Sequence, residues 1–316
     1  MSASEHRHAP SSFTARVATL AWPIVVGQMA VIMNGVIDTV MTARYSAIDL
    51  AALGLGASVY VSIFVGLSGV MQALSPTIGQ LYGAKQYDAI GHEVRQGVWL
   101  AIFLSLLGCT LLLFPDPLLA IAAAPPQLDS KVREYLALLA LALPATLGFR
   151  VFAGLSTAVS RPRIVMAIQV GTLLLLKLPL NALLIFGGFG IPALGTPGAA
   201  IATCFASWGA LMVGWLVATN VNGYRQFNLR GGGFEKPSWP TQAALLKLGI
   251  PMGLSYLIEV TAFTFMALFI ARLGSETLAA HQITANFGTL LYMLPLSIAS
   301  ATGILVAQEK IGRAHV

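Results

Sequence analysis

Apolar residues in this chain run in long blocks instead of alternating with polar ones. Eight blocks, at about 17–41, 51–80, 95–114, 132–158, 164–187, 196–219, 243–270 and 278–306, reach or exceed the roughly 20 residues that a helix needs to cross a bilayer. No block alternates with period two, which excludes a transmembrane β-barrel. Turn-forming residues separate the blocks: Pro115-Asp116-Pro117, Pro125-Pro126, Ser160-Arg161-Pro162, Gly187-Gly188 and Gly231-Gly232-Gly233. The pattern predicts an all-α, polytopic membrane protein with about eight transmembrane helices.

The blocks are not independent. Residues 20–57 return without a gap as residues 248–285, with Pro23 on Pro251, Ala43-Arg44 on Ala271-Arg272, Leu50-Ala51-Ala52 on Leu278-Ala279-Ala280 and Ala57 on Ala285. Each copy reads as a long apolar helix, an Ala-Arg stop, a short polar turn and a second apolar helix. Six spans precede the second copy, so both copies enter the membrane from the same side as parallel repeats. The expected organisation is a complete six-helix lobe over 1–219, a connecting loop over 220–242, and the start of a second lobe over 243–309. The last residues, 311–316, read as the translation of one frame of a common sequencing-library adapter. A non-native tail on a truncated gene fragment is therefore expected.

Composition narrows the function. The chain is 57% hydrophobic and 9% charged, and its mean hydropathy is +0.79, far from the roughly one-quarter charged residues of soluble domains. The net charge of +6 lies in the connections, not on one face, so it marks topology and not nucleic-acid binding. With the N-terminus cytoplasmic, the inside segments carry Arg7, Arg16, Lys85, Arg95, Arg161, Arg163, Arg225, Arg230, Lys236 and Lys247. The outside loops carry only Arg44, Lys131, Arg133 and Arg272. Cys109 and Cys204 sit in apolar blocks and read as small buried side chains. The polar start, Met1 to about Thr14, lacks a cleavable signal, so the first helix is expected to stay as a signal-anchor.

Ionisable residues inside the blocks are costly and need a reason. Asp38 lies toward the outer end of the first block, with Asn34 four residues before it and able to hydrogen-bond it. Glu259 lies near the middle of the seventh. Through the repeat Asp38 corresponds to Met266, two helical turns from Glu259, so the two carboxylates occupy equivalent faces at different depths. Asp38 could instead be an interfacial residue snorkelling to water or pairing with Arg44, and Glu259 a static ion-pair member. Arg150 and Lys177 can snorkel, take structural roles or partner a carboxylate. Lys177 and Asn181 share a face beside Pro179, where a helix break could free backbone carbonyls. Soluble-enzyme motifs such as a Walker A loop or His-Glu-x-x-His are absent from the sequence, and the reading is that this is not an enzyme.

Several stretches together resemble the multidrug and toxic compound extrusion (MATE) family, in its NorM-like branch. They are Pro23 through Ala43 with Asp38, Gly79-Gln80-Leu81-Tyr82-Gly83-Ala84, Ser160-Arg161-Pro162-Arg163, Pro179-Leu180-Asn181, Gly198-Ala199-Ala200-Ile201-Ala202-Thr203, and Leu248 through Gln282. The resemblance implies twelve helices in two lobes and export of small cationic drugs and dyes in exchange for Na⁺ or H⁺. It implies no other cofactor, and a monomer in the bacterial inner (cytoplasmic) membrane, in contact with the lipid bilayer and not with nucleic acid. Asp38 resembles the acidic residue of the family's first helix, Asn181 its helix-five partner, and Glu259 the cation-site glutamate of helix seven and a Na⁺ ligand. Asn34 and Thr203 join Asn181 as support for the substrate or cation site. Ile185 departs from the pattern where some branches carry a second aspartate, and helices nine to twelve are missing. The 316-residue chain alone is accordingly expected not to drive efflux. Two rival readings are a lipid-linked oligosaccharide flippase of the related superfamily and a membrane-embedded enzyme or receptor. The first favours a strongly cationic cavity; the second needs clustered nucleophiles or metal ligands.

Overall fold

In the computed structural model, residues 13–116, 119, 126–188, 190–229, 235–271 and 275–312 are described. The elements are α1 (Phe13–Tyr45), α2 (Ala47–Met71), α3 (Leu74–Gly83), α4 (Tyr87–Leu113), α5 (Pro126–Ala158), α6 (Pro162–Thr172), a π-helical turn (Leu173–Lys177), α7 (Leu178–Phe186), α8 (Thr196–Asn220), α9 (Asn222–Arg225), α10 (Trp239–Ala271) and α11 (Ser275–Gly312). Eight spans are long and apolar enough to cross a membrane, and the chain is an all-α polytopic membrane protein. Among the described residues the only β pairing is an isolated bridge between Gly188 and Ile191. Residues 313–316 of the expected tail lie outside the described residues.

The centre of the first six spans is α5. Leu136, Leu139, Leu143 and Leu147 recur at three- and four-residue spacing and are at most 1% exposed. They form one face of a buried helix on which α2, α4 and α8 pack. Leu106, Leu111, Leu175 and Phe103 point outward and are exposed, as suits side chains that meet lipid tails.

Two blocks that read as single helices are interrupted. The 51–80 block breaks at Gln72–Ala73 between α2 and α3. Pro76 has no N–H to give the Gln72 carbonyl, and the Ser75 N–H takes it instead at 3.3 Å. In the second copy Ile304 stands where the repeat has Pro76, and α11 runs through unbroken. The 164–187 block is interrupted by the π turn just before Pro179.

The two copies pack reciprocally: α10, the counterpart of α1, lies against α2, while α1 lies against α11, the counterpart of α2–α3. Such exchange follows from an axis relating parallel repeats. Glycines set the approach of α2 and α10. A Cβ on Gly69 would stand 2.6 Å from the Gly253 Cα, and one on Gly253 2.8 Å from the Gly66 carbonyl oxygen. Gly249 and Gly253 form a small-xxx-small pair, the packing that brings helix backbones together in lipid. On the other side, Leu20 and Ala21 meet Ala301 and Leu305, Arg16 pairs with Glu309 at 2.8 Å, and Gln308 donates to the Ala158 carbonyl at 2.6 Å.

The segment leading into α10 is strapped to the start of α4. Arg95 and His92 hold the Glu235 carboxylate at 2.7 and 2.9 Å. Trp99 donates to the Glu235 carbonyl and Gln96 to that of Lys236. The Arg95 hydrogen bond, with His92 adding to it, holds the Glu235 carboxyl below the usual glutamate range. A depressed carboxyl favours the closed strap above its unfolded pKa and loses that contribution as pH falls through the folded one.

The glycine seam makes a direct prediction. In a chain without Cys109 and Cys204, cysteines at Gly66 and Leu257, whose side chain packs at 3.1 Å from a Gly66 Cβ, should cross-link under mild oxidation. Adding Gly253→Leu should abolish the cross-link, because backbone would meet side chain across the seam. Unchanged cross-linking in that variant would refute the close approach.

Candidate functional site

The functional cluster starts from the irregularity in the fifth span. Across the π turn the Leu178 N–H bonds to the Leu173 carbonyl, five residues back. The wide turn accommodates Pro179, which cannot donate to the helix, and π turns of this kind recur at functional sites. Lys177 and Asn181 then both face α1. Opposite them α8 lies close to α7, because Gly198 carries no side chain: a Cβ there would be 2.6 Å from the Leu184 carbonyl oxygen. That approach delivers the Ala199 carbonyl and the Thr203 hydroxyl.

These elements enclose an ion pair. The Lys177 ammonium lies 2.7 Å from Oδ1 and 3.0 Å from Oδ2 of Asp38. Its remaining donors go to the Ala199 carbonyl at 3.2 Å and to the Thr203 hydroxyl. Asn181 donates through Nδ2 to Asp38 Oδ1 at 2.7 Å. Lys177 and Asn181 are fully buried and Asp38 is 8% exposed. A buried pair holds only when its remaining donors and acceptors are matched, and here all three ammonium donors are. Among the described residues the Asn181 amide oxygen is buried without a partner, an acceptor in reserve beside the carboxylate.

Asp38 and Thr203 open onto a cavity of about 760 Å³ that is also lined by Asn34, Tyr60, Phe64 and Arg150. Its size falls within the range of drug-sized sites, roughly 300–1,000 Å³. A smaller polar cavity of about 320 Å³ at the seam of the two copies is lined by Gln28, Gln72, Gln169, Arg150, Tyr256 and Ser300, among others. An apolar groove of about 900 Å³ with Trp208 and Trp215 runs between α4, α5 and α8.

Of the residues singled out from sequence, Asp38, Asn181 and Thr203 come together. Asn34 lines the same cavity, but its amide donates to the Ala30 carbonyl at 2.9 Å and not to Asp38. The helix's own carbonyl four residues back is the nearer acceptor, while Asp38 is engaged from α7 and the π turn. The alternative pairing of Asp38 with Arg44 is not formed, since Lys177 occupies both oxygens. Glu259 stands apart, half-buried on α10 next to Tyr292 of α11, and is in neither the 760 Å³ nor the 320 Å³ lining. Among the described residues it makes no ion pair within 4 Å.

Sequence reasoning misses a second buried carboxylate. Asp49 is 2% exposed and receives Lys131 at 2.8 Å and the Thr196 N–H and hydroxyl at 3.2 and 3.0 Å. It ties the starts of α2, α5 and α8 together. Ser46-Ala47-Ile48-Asp49 is a capping-box pattern at a helix start, which places Asp49 there but not its distant partners.

Comparison with known proteins shows what the chain is similar to. The MatE family model matches residues 23–183 and 251–313. A probable multidrug resistance protein NorM of Aromatoleum aromaticum is 43% identical over 300 residues, covering 94% of this chain and 64% of the relative. The chain therefore spans less than two thirds of that relative's length. A crystal structure of MATE in the bent conformation superposes with a TM-score of 0.84 at 19% identity, covering 95% of this chain and 66% of the other. The MATE transporter NorM-NG in complex with a dye and a monobody gives 0.73 at 30% identity, covering 93% and 65%.

Removing one partner of the buried pair strands the other. Lys177→Met should destabilise the protein by about 3–5 kcal/mol, read as a lowered unfolding temperature in detergent. The double variant Asp38→Asn, Lys177→Met should regain most of that loss. A Lys177→Met protein as stable as the wild type would refute the pairing.

Proposed function

Since the chain belongs to the MatE family, we propose that it is part of a multidrug efflux antiporter of the inner membrane, exporting cationic lipophilic compounds in exchange for Na⁺ or H⁺. The observation that carries this reading is a buried carboxylate, Asp38, at the wall of a cavity large enough for a drug. The names of its relatives support it, as does the dye bound by NorM-NG.

The chemistry follows from competition. Asp38 is neutralised by a tethered ammonium, and an incoming proton, sodium ion or organic cation can take that ammonium's place. The free Asn181 oxygen offers such a cation a second ligand. Cations that compete for one carboxylate bind in alternation, and entry of the driving ion releases the drug. The gradients suffice: ~1.4 kcal/mol per pH unit and ~2.3 kcal/mol per charge per 100 mV sustain roughly a hundredfold drug gradient. In this reading Glu259 serves the second lobe as a cation or Na⁺ ligand, separate from Asp38 and acting at another depth.

In cells producing the full-length protein, Asp38→Asn and Glu259→Gln should each reduce ethidium efflux at least tenfold, with membrane levels unchanged. Both variants keep shape and hydrogen bonding while removing a titratable charge. Wild-type efflux in either one removes that residue from the coupling. Varying Na⁺ and pH separately identifies the driving ion.

A further inference from the structure

Arg150 is a half-buried cation that the ion-coupling chemistry above does not use. It sits within the span Leu128–Ala158 and lines both the 760 Å³ cavity and the 320 Å³ seam cavity. Its guanidinium lies 5.4 Å from the centre of the Phe64 ring. Among the described residues it has no carboxylate within 4 Å. Membrane-interior charges are expected to pair with another charge or to serve a ligand, and Arg150 lacks the first option.

The surroundings select the sign of that ligand. Among the described residues no Asp or Glu lines the seam cavity, whose other polar groups include the amides of Gln28, Gln72 and Gln169 and the hydroxyl of Ser300. In the larger cavity Asp38 is the one acidic lining residue among those described, and its charge is already met by Lys177 at 2.7 Å. Glu259, three residues beyond Tyr256 on α10, is outside both linings. Among the described lining residues of the two cavities, Arg150 is therefore the one charge without an oppositely charged partner. A carboxylate placed beside that guanidinium gains two parallel N–H bonds from its fork.

We propose that Arg150 recognises the carboxylate of zwitterionic aromatic compounds, whose ring system lies against Tyr60 and Phe64 in the larger cavity. The inference rests on the drug-cavity reading above and deepens it: a fixed carboxylate on a lipophilic cation becomes a recognition element. Amide-lined space at the seam holds the water that accompanies such a group.

A matched pair of dyes tests this. Tetramethylrhodamine carries a free carboxylate, and its methyl ester is the same cation without it. Binding of each to the full-length protein in nanodiscs is followed by fluorescence anisotropy, with empty discs subtracted. The wild type should bind the acid about tenfold more tightly than the ester. Arg150→Met should bring the ratio to about one, Arg150→Lys should keep part of the preference, and Phe64→Leu should weaken both dyes alike. An ester bound as tightly as the acid by the wild type overturns the proposal whatever the variants do, and so does a preference that survives Arg150→Met. If the wild type binds neither dye, the drug-cavity reading itself fails and this proposal falls with it.

Discussion

Everything distinctive about this bundle is arranged around the cost of holding charge in hydrocarbon. An isolated ammonium or carboxylate at that depth costs several kcal/mol, and Lys177 and Asp38 are tolerable only together. Their pairing requires three helices at fixed depth: α1 brings the carboxylate, the π turn brings the ammonium, and α8 brings the Ala199 carbonyl and Thr203 hydroxyl. Gly198 permits the approach, and the Pro179 break supplies the turn. A regular helix through Leu173–Lys177 would place Lys177 in a different direction. The site is thus a consequence of a local defect in helix geometry, stabilised by ion pairing.

The second organising feature is the seam. Helices in lipid gain little from burying apolar side chains, so close packing of small residues carries association. Gly66, Gly69, Gly249 and Gly253 do so between α2 and α10. Repeat symmetry places α1 on α11 in the equivalent way, with a polar tie where Arg16 meets Glu309, and Gln308 of α11 also bonds to the Ala158 carbonyl of α5. The polar seam cavity lies between these contacts, so a relative movement of the two copies reshapes the space that Arg150 faces. Pro76 in one copy and Ile304 in the other make the pair unequal: one block is split into two helices and its partner is a single continuous helix.

Block length and repeat register carry the span count and all-α class, because hydrocarbon thickness and helix rise leave few alternatives. The proximity of Asn181 and Thr203 to Asp38 is legible only through the family resemblance. Chain separation hides such pairs: Lys177 lies 139 residues from Asp38, and spacing alone does not name its partner. Asn34 illustrates the converse error. Four-residue spacing suggests a bond to Asp38, but an amide in a helix finds its own i−4 carbonyl first. Asp49 escapes notice because it sits at a block edge, where a carboxylate reads as solvated; Lys131 and Thr196 enclose it only in three dimensions. Pro76 signals the break at Gln72, yet a proline within a long apolar run does not say whether the helix bends or splits.

The central claim is that Asp38 is an ionised carboxylate held by Lys177 until a cation displaces it. Infrared difference spectra of protein labelled with ¹³C at the aspartate carboxyl, with Asp38→Asn as reference, report that group directly. The account predicts carboxylate stretching bands for Asp38 in the ligand-free protein, and a shift of those bands when a saturating concentration of ethidium or of the coupling cation is added. A protonated carbonyl band in the ligand-free state, or carboxylate bands unmoved by every cation tried, would contradict it.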